Sequence, residues 1–388
     1  MEIPRSADFV IVGGGSVGTS LAYHLARQKV GTVVLFEKDS IASGSTGRAA
    51  GLISQQYGDE FHIRLASESL AFFERLGRER RFGVNFRQTG YLKLLFTQEE
   101  LARAKRSQGL QRRLGVTVDV LSPEEAGRLL PGLNLEGMVG ATNCARDGYT
   151  DPHLATNAFA ELAKEEGARV YVDTEVTGID VESGRVTAVR TRAGTVATSL
   201  VLDAAGPWAA LVSRMAGVDI PVRPFRRHLW FTQKTDAVTD RSPVLMDNYH
   251  DFYFRREGEG VLMCFGNPSE PSSFSVEVDW PYASRVAEYA VHRFPPFAEA
   301  QLVSAWAAPR DMTPDHDAIL GRLPEVEGFL VAAGHSGHGF MLSPAVGRML
   351  ADYVVKGTCE PDFTPLTIGR FGGREWPLSA YSGAGVLA

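Results

Sequence analysis

The chain has 388 residues, of which 44% are hydrophobic and 22% charged, and its formal net charge is -6. That length exceeds what one hydrophobic core usually serves, so two domains are expected. The negative balance argues against nucleic acid as the main partner, because neutralising phosphates needs a basic surface, and the basic clusters at 78–81 and 103–113 read as solvated helix faces. Cys144, Cys264 and Cys359 are widely separated and offer neither a disulfide framework nor a Cys-x-x-Cys pair. No apolar run reaches the ~18 residues of a membrane span, and a strand opening by Asp8 leaves no room ahead of it for a cleavable signal, so the expected location is the cytoplasm.

The apolar run Phe9-Val10-Ile11-Val12 breaks into Gly13, Gly15 and Gly18, spaced G-x-G-x-x-G, and Val17, Leu21 and Leu25 follow four apart. This predicts a strand, a tight turn and a helix. Gly13 permits the turn, Gly15 lets a pyrophosphate approach bare backbone, and Gly18 lets the helix pack close to the strand. Ser16 and Val17 open the helix, where unpaired N–H groups favour an anion. A second apolar run, Val33 to Phe36, ends at Glu37, at the spacing where an acid accepts hydrogen bonds from a ribose. The pattern is a complete βαβ unit, and by itself it fits a nicotinamide or a flavin dinucleotide.

The loop from Lys38 to Leu52 is rich in glycine and hydroxyls and contains Ser45, Thr46, Arg48 and Gly51. It can wrap a diphosphate or the ring system beyond it, or be a plain surface loop. Helices are predicted over 62–80, 98–114 and 154–166, with a further start at Ser122-Pro123-Glu124-Glu125. A strand is expected within 87–96, and a small meander over 175–201. The strand Leu200 to Ala205 then runs into Gly206-Pro207-Trp208 and a new helix. From about 218 to 305, aromatic strands such as Leu229–Thr232, Phe252–Arg255 and Val261–Phe265 suggest either a sheet roofing a ligand or ordinary core packing. Near the end, Phe329–Ala333 meets Gly334-His335-Ser336-Gly337-His338-Gly339 and a helix over 340–355 with Pro344 near its start. This third glycine turn can supply positive potential to a distant part of the same ligand. His335 and His338 lack a third ligand at suitable spacing, so no metal site is expected.

Taken together, the fingerprint with Glu37, the Gly44-Ser45-Thr46 loop, Ala204-Ala205-Gly206-Pro207-Trp208, Trp306-Ala307-Ala308-Pro309-Arg310 and Ala333 to Phe340 resemble the D-amino-acid oxidase superfamily of flavoproteins. The likeness is strongest to the β subunits of heterotetrameric sarcosine oxidase and dye-linked L-proline dehydrogenase, with glycine oxidase further away. It implies a Rossmann-type α/β FAD-binding domain whose parallel sheet is discontinuous in sequence, built from 1–85, 146–217 and 306–370. An α+β substrate domain with an antiparallel sheet would come from 86–145 and 218–305. A tail at 371–388 would lack order or dock on a partner. Val176 would present its backbone to adenine, and Gly337, His338, Gly339, Phe340 and Met341 would lie against the flavin.

The implied chemistry is oxidation of the C–N bond of a small amino acid or N-methyl amino acid by hydride transfer to flavin N5. Arg310 is the expected carboxylate clamp, since a planar bidentate donor suits that group; Tyr253 and His338 are further candidates. The sequence also departs from its relatives. Ala308 stands near a flavin-linking cysteine of monomeric sarcosine oxidases, and Arg48 replaces the flavin-linked histidine of dimethylglycine dehydrogenases, so FAD should be noncovalent. Apolar residues around Leu262 and Met341 replace two lysines of the monomeric branch. A dehydrogenase or β subunit passing electrons to a partner subunit or carrier is therefore expected over a free-standing oxidase, with a second flavin, FMN, at a subunit interface allowed by the resemblance. The alternative is a flavin-binding assembly or scaffold protein without amine turnover.

Overall fold

Val10 and Ile11 are fully buried on opposite faces of the first strand, β1 (Phe9–Val12), because helices cover one side of its sheet and the antiparallel meander over 176–197 with the short helix Ala209–Met215 covers the other. The computed structural model describes residues 2–381. β1 and the second strand, β2 (Val33–Phe36), pair in parallel and are joined through the helix α1 (Ser16–Arg27). Their sheet has six strands, in the order Ile319–Arg322, Phe329–Ala333, Val201–Asp203, β1, β2, Arg169–Tyr171. Every pairing is parallel except that of the edge strand Ile319–Arg322. Three separate stretches of chain thus build one Rossmann-type sheet, and the C-terminal ends of its central strands open together, where ligands bind in such folds.

The second sheet has eight strands, from Leu302–Met312 at one edge through Arg223–Thr232, Gly260–Phe265, Phe252–Glu257, Val244–Asp247, Tyr91–Leu95 and Gly140–Cys144 to Asp119–Leu121. It is antiparallel except where Val244–Asp247 runs parallel to Tyr91–Leu95. One face packs Trp230, Phe252 and Phe254 against Phe294 and Phe297. The other closes over the six-stranded sheet's open end.

Two local outcomes differ from the sequence pattern. The expected strand over 195–201 is divided: Gly194–Ala197 pairs antiparallel with Arg185–Thr191, and Val201–Asp203 joins the parallel sheet. The break lies at Thr198, whose hydroxyl accepts the Leu200 N–H at 3.2 Å and turns the chain between the sheets. Leu302–Met312 carries no strand alternation in sequence because Pro309 interrupts it; as an edge strand it needs no N–H there.

In the helix Gly339–Lys356, Pro344 lies in the second turn and leaves the Phe340 carbonyl without its backbone donor; the Ser343 hydroxyl donates to it at 2.9 Å. The described part of the C-terminal tail packs on the body, with Phe371 and Tyr381 buried and the Tyr381 ring stacked on Phe225. Residues 382–388 of that tail lie outside the described residues. Among the described residues no helix is long and apolar enough to cross a membrane.

Candidate active site

The fingerprint turn is built by close approach. Gly13 has φ +112° and lies so near the end of the Val201–Asp203 strand that a Cβ would come within 2.5 Å of the Ala204 carbonyl oxygen. A Cβ on Gly18 would strike the Gly13 carbonyl, so only glycine lets α1 start this close to β1. Gly15 caps α1 without a side chain, and the first-turn residues Ser16 and Val17 face a cavity. The Ser16 N–H reaches the Thr46 hydroxyl at 3.3 Å. Glu37 is buried, and its carboxylate accepts the Gly14 N–H at 2.6 Å and the Asp39 N–H at 2.9 Å. Each of its oxygens keeps a lone pair for a ribose hydroxyl.

The following loop spends its polar groups on holding itself. Arg48 donates back to the carbonyls of Ser43 and Gly44, and Ser45 donates to the Pro309 carbonyl on the neighbouring sheet. Lys38 sits 3.7 Å above the ring of Trp208, which follows the open left-handed turn at Gly206. Beneath that turn Asp203 is buried and accepts the Ala205 N–H and the Ser213 hydroxyl, each at 3.0 Å; burial pushes its pKa up to about 7.

At the other end, the glycine turn after Phe329–Ala333 is pinned by the edge strand of the large sheet. Asp311 accepts the His335 N–H on its carboxylate and the Ser336 N–H on its carbonyl, each at 2.9 Å, while Arg310 donates to the Ser336 carbonyl. Gly337 has φ +101°, and a Cβ there would lie 2.9 Å from the Arg310 guanidinium carbon, so glycine is what lets Arg310 lie across the turn. Arg310 Nε has no partner, and no carboxylate pairs with this guanidinium among the described residues. Burial, followed by the neighbouring Arg227 charge, lowers its pKa. Burial drives the Tyr253 phenol well above its ordinary range and His338 well below its own, so both are neutral near pH 7.

A cavity of about 840 Å³ connects these pieces. Of the residues singled out from sequence, its walls include Gly13, Gly15, Ser16, Val17, Glu37, Lys38, Ser45, Thr46, Arg48, Gly51, Leu52, Val176, Gly206, Trp208, Tyr253, Arg310, Gly337, Gly339, Phe340 and Met341. Three are not brought to the wall. Gly18 lies beneath the turn against Gly13, Gly334 packs on Thr313, and His338 is half-buried off the wall with its ring 5.8 Å from that of Tyr57. The wall residues that escaped the sequence reading include Arg227 and Asp251, which form an ion pair beside Arg310. Lys93 also escaped it, a half-buried cation bonded at 2.9 Å to the Gln56 carbonyl, with its pKa lowered by desolvation to about 8. Each sits in a β-strand or turn with no local motif to mark it.

The residues present fit FAD. The glycines exclude side chains where a pyrophosphate would lie, the helix N-terminus has no side-chain cap, Glu37 has acceptors to spare, and unpartnered polar atoms of Arg310 and His335 remain at the far end. Among the described residues no group of three or more His, Cys, Asp or Glu side chains is arranged to hold a metal.

Comparison with known proteins agrees with this geometry. Over 384 residues the chain is 31% identical to mitochondrial sarcosine dehydrogenase of Mus musculus, a match covering 95% of this chain and 42% of that protein. The chain therefore spans less than half the length of that relative. Among solved structures, L-proline dehydrogenase from P. horikoshii superposes with a TM-score of 0.89 at 32% identity, covering 95% of this chain and 99% of that one. Glycine oxidase from Geobacillus kaustophilus superposes at 0.82 with 28% identity and the same coverage. Residues 8–353 match the family model described as DAO, FAD dependent oxidoreductase, and the chain belongs to that family of flavin enzymes.

Proposed function

We propose that this chain oxidises the C–N bond of a small amino acid or N-methyl amino acid, of the sarcosine, glycine or proline type, with noncovalently bound FAD. The observation that carries the reading is Arg310, which lines the end of the cavity away from Glu37 and is paired with no carboxylate among the described residues. Bound in the cavity, FAD supplies the hydride acceptor.

The chain's own residues do the rest. Arg310 presents a planar donor to the substrate carboxylate and so fixes the orientation of the neighbouring C–N bond. The neutral Tyr253 phenol offers a hydrogen bond at the same end, and its burial keeps it from becoming an anion beside the carboxylate. His338, held neutral off the wall, adds no second cation. Leu229, Met246, Phe340 and Met341 line this end with apolar surface that excludes water. An amine arriving neutral needs no strong side-chain base. Leu262 is apolar and buried where the likeness to monomeric sarcosine oxidases would place an oxygen-activating lysine, which supports transfer of electrons to a partner subunit or carrier.

The test is a panel of glycine, sarcosine, dimethylglycine, proline and D-amino acids added anaerobically to the yellow protein. Bleaching of the flavin by at least one is the expected result. A flavin that stays oxidised with all of them removes the reading and favours a scaffold role.

A further inference from the structure

A second cavity, of about 520 Å³, abuts the substrate end of the first, and the residues common to both linings are Arg227, Asp251 and Arg310. Arg227 and Asp251 form a two-pronged ion pair, with Arg227 Nη1 2.6 Å from Asp251 Oδ2 and Nη2 donating to Oδ1. Their side chains are only 17% and 20% exposed, so solvent and salt screen the pair weakly. Its position is set from two sides. Arg227 projects from the strand Arg223–Thr232, and Asp251 occupies a turn with φ +56° whose carbonyl accepts the Gly266 N–H at 2.9 Å. Gly266 leaves the pair its space, since a Cβ there would run into the Asp251 carboxylate and the Arg227 guanidinium.

Two guanidinium groups therefore stand at the boundary, and only Arg310 is left without a carboxylate among the described residues. One carboxylate on a ligand is attracted to Arg310. A second would meet the Asp251 anion, while Arg227 beside it is already occupied; of the second cavity's other arginines, Arg226 is paired with Glu270 and Arg285 is exposed, where solvent and salt screen its charge.

We propose that the Arg227–Asp251 pair is a specificity-determining element that restricts the site to substrates with a single carboxylate and closes off the second cavity, into which a second carboxylate would otherwise project. The proposal rests on the functional reading above in taking Arg310 as the substrate's carboxylate anchor.

Acetate and malonate, followed by the flavin difference spectrum of the holoprotein at fixed ionic strength, test it. The unaltered protein should bind acetate more tightly than malonate. Asp251→Asn, which frees Arg227 and tolerates the left-handed turn, should raise malonate affinity relative to acetate by about tenfold or more. Gly266→Ala, which displaces the pair without changing its charge, should move the ratio in the same direction and carries the test alone if Asp251→Asn does not fold. An unaltered ratio in the folded variants, a preference for malonate in the unaltered protein, or no acetate binding at all would overturn the proposal. The two readings fail separately: amines that bleach the flavin beside an unmoved ratio sink only the filter, and a shifted ratio beside an unbleached flavin sinks only the turnover.

Discussion

The two ends of the main cavity are made of different materials. Around Gly13 to Ser16 the wall is backbone: glycines without room for a Cβ, a helix start without a capping side chain, and a carboxylate tied to the turn it serves. Around Arg310 it is side chains delivered by separate strands of the large sheet, with a paired guanidinium beside an unpaired one. A backbone site is sensitive to added volume and indifferent to most charge changes. A side-chain site is the reverse.

The largest effect on cofactor retention should come from volume at the backbone end. Gly18→Val drives α1 off the Gly13 carbonyl and should lower the FAD retained through desalting by more than about tenfold, read from the ratio of flavin to protein absorbance. If retention were unchanged, the close approach would not be what builds the turn.

The next effects separate the two ends by the sign of their buried charge. Asp203, under the cofactor end, has its pKa raised from 3.8 to about 7, so the folded state holds a proton the unfolded chain has lost. Its contribution is complete below the unfolded pKa and disappears as pH rises through about 7. Asp203→Asn should abolish that slope, a difference of about 4 kcal/mol across the window at most. Lys93, near the substrate end, has its pKa lowered from 10.5 to about 8. Here the unfolded chain binds the extra proton, and stability rises with pH between about 8 and 10.5. Lys93→Met should remove a rise of about 3 kcal/mol. Urea denaturation at pH 4, 7, 8 and 10 reads both, and slopes of the same sign would contradict the contrast.

The smallest effect on cofactor binding should be that of Lys38→Ala. It removes a solvent-exposed cation from the face of Trp208 and should weaken FAD binding by about threefold, measured by fluorescence titration of the apoprotein. A loss as large as that of Gly18→Val would mean that a side chain, and not backbone, governs this end.

The same contrast decides what was legible in the sequence. The backbone end is local: glycine spacing, the apolar period of α1 and the acid after β2 lie within one stretch of chain, so each could be assigned a physical task before any fold was known. The glycine turn at 334–339 was legible as a strand meeting glycines and a helix start, and Arg310 through family likeness, but that Gly337 exists to admit the Arg310 guanidinium was not, because the turn follows a strand of one sheet and Arg310 lies in the other. Arg226 and Arg227 stand side by side in a strand, and no motif in the sequence marks either. The fold pairs one with Glu270 and the other with Asp251, both in largely buried positions. Lys93 occupies an ordinary strand position whose burial is set by the elements packed over it. Strand alternation cannot reveal a partner that arrives from 24 or more residues away.

In the proposed function one elongated site holds FAD by backbone at one end and the substrate carboxylate by Arg310 at the other. The most direct measurement is anaerobic stopped-flow reduction of the flavin, over a range of amine concentrations, in the unaltered protein and in Arg310→Ala. The concentration giving half the limiting rate should rise by about 30- to 100-fold in the variant, as expected for loss of a charge-assisted bidentate contact, while flavin content stays the same. A half-saturating concentration that does not move would place the carboxylate elsewhere and contradict the account.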